Sequence, residues 1–410
     1  MDPGLNSPLE LRSPRERSAA NGTGVLADRD EGGGLRSPVL SSASEVHVKK
    51  AGASKLSVRA LRKEYGAVKA LAGVDLELKE GEFITLLGPS GSGKSTMLMI
   101  IAGLARPDSG EVWIDGRLST FLPPHKREIG VVFQNYALFP HLTVYENIAF
   151  PLRMRRRTRA QIDQEVARVL GIVQLPGMAH RYPRELSGGQ QQRIALARCM
   201  VYQPPIILMD EPLGALDKKL RQQLQLEIRR LHQQFGISVL YVTHDQEEAL
   251  AMSDRICLMN EGVIEQIGTP ADLYFRPRSE FAADFLGESN LLNVDLLSTD
   301  GDVAHVRAAD GSLLRAARNH AVADDRRIRL LVRPETLRLL AANESADNTL
   351  TGVVRDVILL GQVTKYFVTL HDGSEVSAAA LTESGLPVRA PGTPVRLGFA
   401  ADCAVCLPAR

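Results

Sequence analysis

Gly88-Pro89-Ser90-Gly91-Ser92-Gly93-Lys94-Ser95-Thr96 sets three glycines ahead of a lysine and two hydroxyls, a spacing that suits a bound oxyanion. The apolar EFITLL runs into it and the helix-compatible MLMIIAGL runs out of it, the strand and helix such a loop requires. Glycine tolerates the backbone of a tight curl, so loop N–H groups and the helix N-terminus can enclose a β-phosphate. Lys94 adds positive charge, and Ser95 offers a hydroxyl to Mg2+. Read instead as a glycine-rich turn before a helix, the segment gives no reason for Lys-Ser where phosphate and metal need them.

Further along, the apolar run Ile206–Met209 ends in Asp210-Glu211. Ligands collect at the carboxyl ends of parallel strands, so Asp210 is expected to hold Mg2+ through water. Many strands end in acidic turns, and the pair alone is weak. One strand later, SVLYVT ends at His244, whose imidazole can hydrogen-bond a γ-phosphate and an attacking water. A lone histidine there is more often structural; its place after the Asp-Glu strand reverses that preference. Leu186-Ser187-Gly188-Gly189-Gln190 opens the helical run QQRIALARCMVY, so the Ser187 hydroxyl and nearby N–H groups face outward at a positive helix end. This is an anion site beside a chain whose phosphate loop already has its ligand, and it is equally compatible with Ser187 as an ordinary helix cap.

The order GPSGSGKST, VVFQN, LSGGQ, IILMDE, VTHD resembles the ATP-binding subunit of ABC transporters. The resemblance implies an α/β fold: a P-loop ABC ATPase domain with a parallel core sheet, an antiparallel β subdomain and a helical subdomain. It casts Glu211 as the general base for attack on the γ-phosphate and puts Gln134 in the loop that senses magnesium and nucleotide while touching the membrane partner. It stacks Tyr65 on adenine, where the alternative is a turn tyrosine packed under the sheet. Asp217, in the GALD segment, falls in the loop across the dimer interface. The signature Ser187, Gly188, Gly189 and Gln190 would close on nucleotide held by a second copy, giving a head-to-tail homodimer with two shared ATP sites. Separate permease subunits and, indirectly, a solute-binding protein complete the machine. The phrases QNYALFPHLTVYENIAFPLRMR (134–155) and FLGESNLL (285–292) resemble the ATPases of polyamine importers, for spermidine or putrescine, although subunits for iron, sulfate or phosphonate share much of this wording.

These residues need elements to position them. Short apolar alternations from Leu56 to Trp113, including Val74, Leu76 and Leu78 and the Asp115-Gly116 turn, predict a small sheet flanking the loop. The buried-type runs 82–87, 206–209 and 238–242 predict a parallel sheet. Thr158 and Gln161 form a capping-box pair ahead of Ile162, Val166, Val169 and Leu170, so 141–186 reads as a helical insert. Asp300-Gly301, Asp310-Gly311 and Asp372-Gly373 are hairpin signals, and a small all-β, OB-like domain is expected over 288–410 after an ATP-binding domain over 55–287.

The chain has 410 residues, 49 basic and 48 acidic side chains, so it exerts no overall pull on nucleic acid or anionic lipid. Arg153 and Arg155–Arg157 read as solvated surface rather than a nucleic-acid patch. The four cysteines suggest a reduced intracellular chain, and Cys403 with Cys406 cannot make a zinc site alone. No apolar stretch approaches the ~20 residues of a membrane span, and residues 1–54, without an aromatic or a signal-peptide core, read as a disordered tail. A peripheral place on the cytoplasmic face of the inner membrane follows from the resemblance. Two other classes carry similar features. Soluble ABC ATPases of DNA repair or translation commonly have long coiled-coil insertions or two cassettes. An OB-type nucleic-acid binder would want more than Tyr366, Phe367 and Phe399 for stacking.

Overall fold

A hairpin opens the described chain. Strands β1 (Ser54–Tyr65) and β2 (Val68–Lys79) turn through Gly66, at φ 60°, and pair antiparallel from Tyr65↔Val68 to Ser54↔Lys79. The computed structural model describes residues 54–214, 216–319, 327–382 and 389–409, so all but Ser54 of the expected tail, and Ala215 of the GALD segment, lie outside the described residues.

Next come β3 (Phe83–Leu87), α1 (Lys94–Ala102), β4 (Ser109–Ile114), β5 (Arg117–Leu118) and β6 (Gly130–Val132). Helices α2 (Val144–Met154), α3 (Arg159–Ile172) and α4 (Gly188–Met200) lead to β7 (Ile206–Asp210), α5 (Lys218–Phe235), β8 (Ser238–Val242) and α6 (Gln246–Met252). This part closes with β9 (Arg255–Asn260), β10 (Val263–Gly268), α7 (Pro270–Phe275) and α8 (Glu280–Phe285). The core sheet runs β10-β9-β3-β8-β7-β6, parallel except where β10 folds back on β9. Its strands are apolar on both faces because α1 and the flanking sheet β2-β1-β4-β5 cover one side while α4 and α5 cover the other.

The helical insert forms its own core from Val144, Ile148, Ile162, Val166 and Val169, but that core does not stop at 186. Helix α4 and its C-cap put Ile194, Ala197 and Val201 into it, while the helix turns Ala195, Leu196, Cys199 and Met200 toward the main sheet. Residues three and four apart share a helix face, so one helix serves two cores. The expected Thr158–Gln161 capping box is present at the start of α3.

The C-terminal strands are β11 (Asn290–Asp300), β12 (Val303–Ala308), β13 (Leu313–Ala317), β14 (Arg327–Val332), β15 (Arg338–Leu339), β16 (Asn348–Leu359), β17 (Val363–Leu370), β18 (Glu375–Leu381), β19 (Pro394–Phe399) and β20 (Ala404–Pro408). A barrel closes in the order β11-β12-β13-β20-β14, with β13 and β20 parallel, the OB-like arrangement expected. Between its fourth and fifth strands the chain inserts a second sheet, β15-β19-β16-β17-β18, which shares the barrel's core through Leu350, Val368 and Phe399. The three Asp-Gly pairs sit at the β11–β12, β12–β13 and β17–β18 turns, each with its glycine at positive φ.

One side chain pins the barrel to the α/β part. Arg333 is 2% exposed, and its Nη1 donates to the carbonyls of Ala283, Gly287 and Glu288 and to Ser289 Oγ, at 2.8–3.1 Å. Its Nη2 donates to the Tyr274 carbonyl at 3.0 Å, and the guanidinium lies 4.3 Å from the Tyr274 ring centre. Burial pulls its pKa down. Arg333→Met would remove the guanidinium's donors from these acceptors at similar side-chain length, leaving the Ala283 carbonyl with the Ser289 hydroxyl alone. We expect a loss of about 2–4 kcal/mol, read as a lower denaturant midpoint; an unchanged midpoint would contradict the role.

Candidate active site

The phosphate-type loop is held from two sides. Gly93 ends it at φ 101° and caps α1, and a Cβ there would meet the Ala70 carbonyl of β2 at 2.3 Å. A Cβ on Gly88, at φ 151°, would meet the Met259 carbonyl of β9 at 2.1 Å. The glycines are therefore demanded by close backbone approach as well as by φ. At the far end of α1, buried Arg127 donates to the carbonyls of Ile100 and Ile101, both at 2.7 Å, and to Thr120 and Leu122, at 2.9 Å. Ile100 and Ile101 lie in the last turn of α1, where carbonyls run short of helical donors.

Lys94 is 5% exposed. Its ammonium donates to the Gly88 and Pro89 carbonyls, both at 2.8 Å, and to Ser92 Oγ at 3.3 Å. Burial lowers its pKa, opposed by the charges of Glu211 and Asp210. Ser90 and Gly91 stand exposed at the loop tip, and Thr96 is half-buried on α1. Ser95 Oγ donates to Asp210 Oδ1 at 3.4 Å. Burial, then the neighbouring Glu211 carboxylate, push the Asp210 pKa up.

Glu211 turns the chain out of β7 at φ 43°, a left-handed conformation uncommon for a side chain of its size. Its N–H donates to the Val242 carbonyl of β8 at 3.0 Å, which fixes that turn. Its Oε1 lies 3.2 Å from His244 Nδ1, and the His244 side chain is 59% exposed. Lys94, Ser95, Asp210, Glu211 and His244 thus gather at one end of the parallel sheet.

The other sequence-selected residues stand elsewhere. Ser187 caps α4: its Oγ accepts from Gln190 N–H at 3.3 Å while Gln190 Oε1 accepts from Ser187 N–H at 2.9 Å. Gly188 lies against the turn before α5 and Gly189 against α5 itself, where added Cβ atoms would meet Leu216 at 3.4 Å and Leu220 at 3.1 Å. Asp217 caps α5 by accepting from Leu220 N–H at 3.0 Å. Among the described residues, no hydrogen bond or ion pair ties the Ser187–Gln190 turn to the Lys94 loop. Gln134 is exposed just after β6, and Tyr65 is 53% exposed at its hairpin turn rather than packed under the sheet. Lys63 Nζ stands 5.2 Å from the Tyr65 ring centre.

Sequence reasoning missed several arginines. Arg198, on α4, donates to the Tyr136 and Ala137 carbonyls at 2.9 and 2.7 Å, holding the turn after Gln134 at φ 61° and 44°. Arg127 and Arg221 act in the same way. Their partners are mainly carbonyl oxygens, which every residue carries, so no residue type marked them.

The ABC transporter family model matches residues 71–214, and the TOBE domain model matches 330–407. The spermidine/putrescine import ATP-binding protein of Ruegeria pomeroyi is 46% identical over 322 residues, 78% of this chain and 87% of the relative. Those of Thermotoga maritima and Rubrobacter xylanophilus are 43% and 44% identical, covering 78% and 84% of this chain and 87% and 91% of their own. A solved dimeric bacterial ABC transporter cassette aligns at TM-score 0.48 and 38% identity, over 52% of this chain and 98% of its own.

The glycine geometry gives a graded expectation. Gly93→Ala and Gly88→Ala should abolish nucleotide binding, because backbone carbonyls cannot yield to a Cβ. Gly91→Ala meets nothing within 4 Å and should cost only backbone strain, about 1 kcal/mol. Titration with a fluorescent ATP analogue ranks the three; equal affinities would contradict the packing argument.

Proposed function

The chain belongs to the ABC transporter ATP-binding subunits, and on that footing we propose that it hydrolyses ATP to drive import of a polyamine, spermidine or putrescine, through separate permease subunits. The relatives' names, spermidine/putrescine import ATP-binding proteins, support the solute class. The observation that carries the chemistry is the gathering of Lys94, Ser95, Asp210, Glu211 and His244 at one end of the parallel sheet.

Bound triphosphate would take over the Lys94 ammonium from the Gly88 and Pro89 carbonyls and lie against the N–H groups of residues 88–96, with Tyr65 stacking on adenine. Mg2+ fits the donor set, a hydroxyl and a half-buried carboxylate whose charge its surroundings disfavour. Ser95 and Asp210, the latter through water, would hold it, with Gln134 reaching in from its loop. The metal supplies charge neutralisation on the phosphate oxygens. Glu211 accepts the proton of the attacking water. With Nδ1 turned to Glu211, His244 keeps Nε2 for the γ-phosphate.

The Ser187–Gln190 turn, with Asp217 beside it, would grip the γ-phosphate held by a second copy, so two ATP molecules are shared across a homodimer. The proposed division is an ATP-binding domain over 55–287 and an accessory β-domain over 288–410. No helix among the described residues is long and apolar enough to cross a membrane. A permease would therefore seat the protein on the cytoplasmic face of the inner membrane, meeting it near Gln134, and a capture protein would deliver the solute from the other side.

Glu211→Gln should keep ATP binding and slow hydrolysis by roughly 10²–10⁴-fold; normal turnover removes Glu211 from this role. In vesicles carrying the permease and its capture protein, spermidine or putrescine should stimulate ATP hydrolysis. Stimulation by iron, sulfate, phosphonate or sugar alone would overturn the solute.

A further inference from the structure

The turn after Asp210-Glu211 and the turn bearing His244 leave neighbouring strands, β7 and β8, and one guanidinium joins them. Arg221, one turn into α5, donates from Nη2 to the Leu216 carbonyl at 3.1 Å and from Nη1 to Asp245 Oδ2 at 2.9 Å. Asp245 is anchored in turn. Its Oδ1 accepts from Glu248 N–H at 3.1 Å, capping α6, and its own N–H donates to Thr243 Oγ1 at 3.0 Å. Glu248 is 2% exposed and accepts from the hydroxyls of Tyr241 and Thr243, both at 2.8 Å. His244 therefore sits between two fixed residues while its own ring stays exposed.

Arg221 also holds a donor in reserve. Its Nε is buried without a hydrogen-bond partner among the described residues and lies 3.9 Å from Glu248 Oε1. That is about 1 Å beyond an ordinary N–H···O distance. A small slide of the guanidinium would complete the bond. The Leu216 turn at its other end lies against Gly188 of the signature turn.

We propose that Arg221 is a positioning residue that couples the Leu216-Asp217 turn to His244. Displacement of that turn shifts the guanidinium between Asp245 and Glu248 and carries the His244 loop with it. Ligand engagement at Ser187 and placement of His244 against the γ-phosphate then become one event. The inference rests on the reading of His244 given above. Lysine cannot replace arginine here, because one ammonium lacks the planar fork that serves carbonyl and carboxylate together.

The test measures kcat and KM for ATP on the full chain assembled with its permease. It compares wild type with R221M, R221K, D245N, the double variant R221M/D245N, and H244A. Asparagine retains the cap of α6, so D245N removes the ionic link rather than the helix start. R221M should lower kcat about five- to twenty-fold, with KM changed less than about two-fold. R221K should recover only part, and the double variant should be no slower than the slower single one. Multiplied losses in the double variant, wild-type turnover in R221M, or a kcat loss matched by KM and thermal midpoint would overturn the coupling. H244A at wild-type turnover would sink the reading of His244 and the coupling with it. A slow H244A beside an unaffected R221M would sink the coupling alone.

Discussion

A buried ammonium with no carboxylate in bonding reach among the described residues organises the site. Lys94 is satisfied by two carbonyls and a hydroxyl of its own loop, so the loop's curl and the lysine's charge depend on each other. A charge taken from water needs compensation, and backbone carbonyls supply it only partly. On the proposed reading, bound triphosphate would complete that compensation, which would require loop, strand β3 and helix α1 to be held closely. The glycines at 88 and 93 pay for that closeness, each standing where a methyl group would strike a carbonyl of a neighbouring strand.

Around this centre, guanidinium groups set the loops. Arg127 closes the end of α1, Arg198 holds the turn after Gln134, Arg221 spans the Leu216 and Asp245 turns, and Arg333 fastens the barrel. Each brings several donors in a rigid plane to acceptors that a loop would otherwise leave unpaired. Helix α4 carries the signature turn at one end and Arg198 at the other, and it lies in two cores at once. Helix α4 therefore links the helical insert to the sheet, together with Leu138 and Ile172, which also pack against both cores.

Much of this was legible in the sequence, wherever the deciding interaction is local. EFITLL before the loop gave a strand, Thr158–Gln161 gave a cap, and the Asp-Gly pairs gave hairpins, because turn and cap chemistry lie within a few residues. The second β-sheet was not legible. Its place depends on β20 returning to pair with β14 across a long excursion, and no residue type records such a pairing. Nor did the sequence mark that the core beneath the insert runs on into α4, since Ile194 and Ala195 are adjacent in sequence yet face different cores. The arginine clamps stayed hidden because carbonyl acceptors have no sequence signature.

The central claim is that one chain supplies only part of each reaction centre, the Lys94 loop in one copy meeting the Ser187 turn of another. Mixing a Lys94→Ala chain with a Ser187→Arg chain in the assembled importer tests it most directly. Each variant alone should be inactive, and the mixture should regain hydrolysis, because one of its two composite sites then has both halves intact. No recovery in the mixture, or full activity of the Ser187→Arg chain alone, would contradict the account.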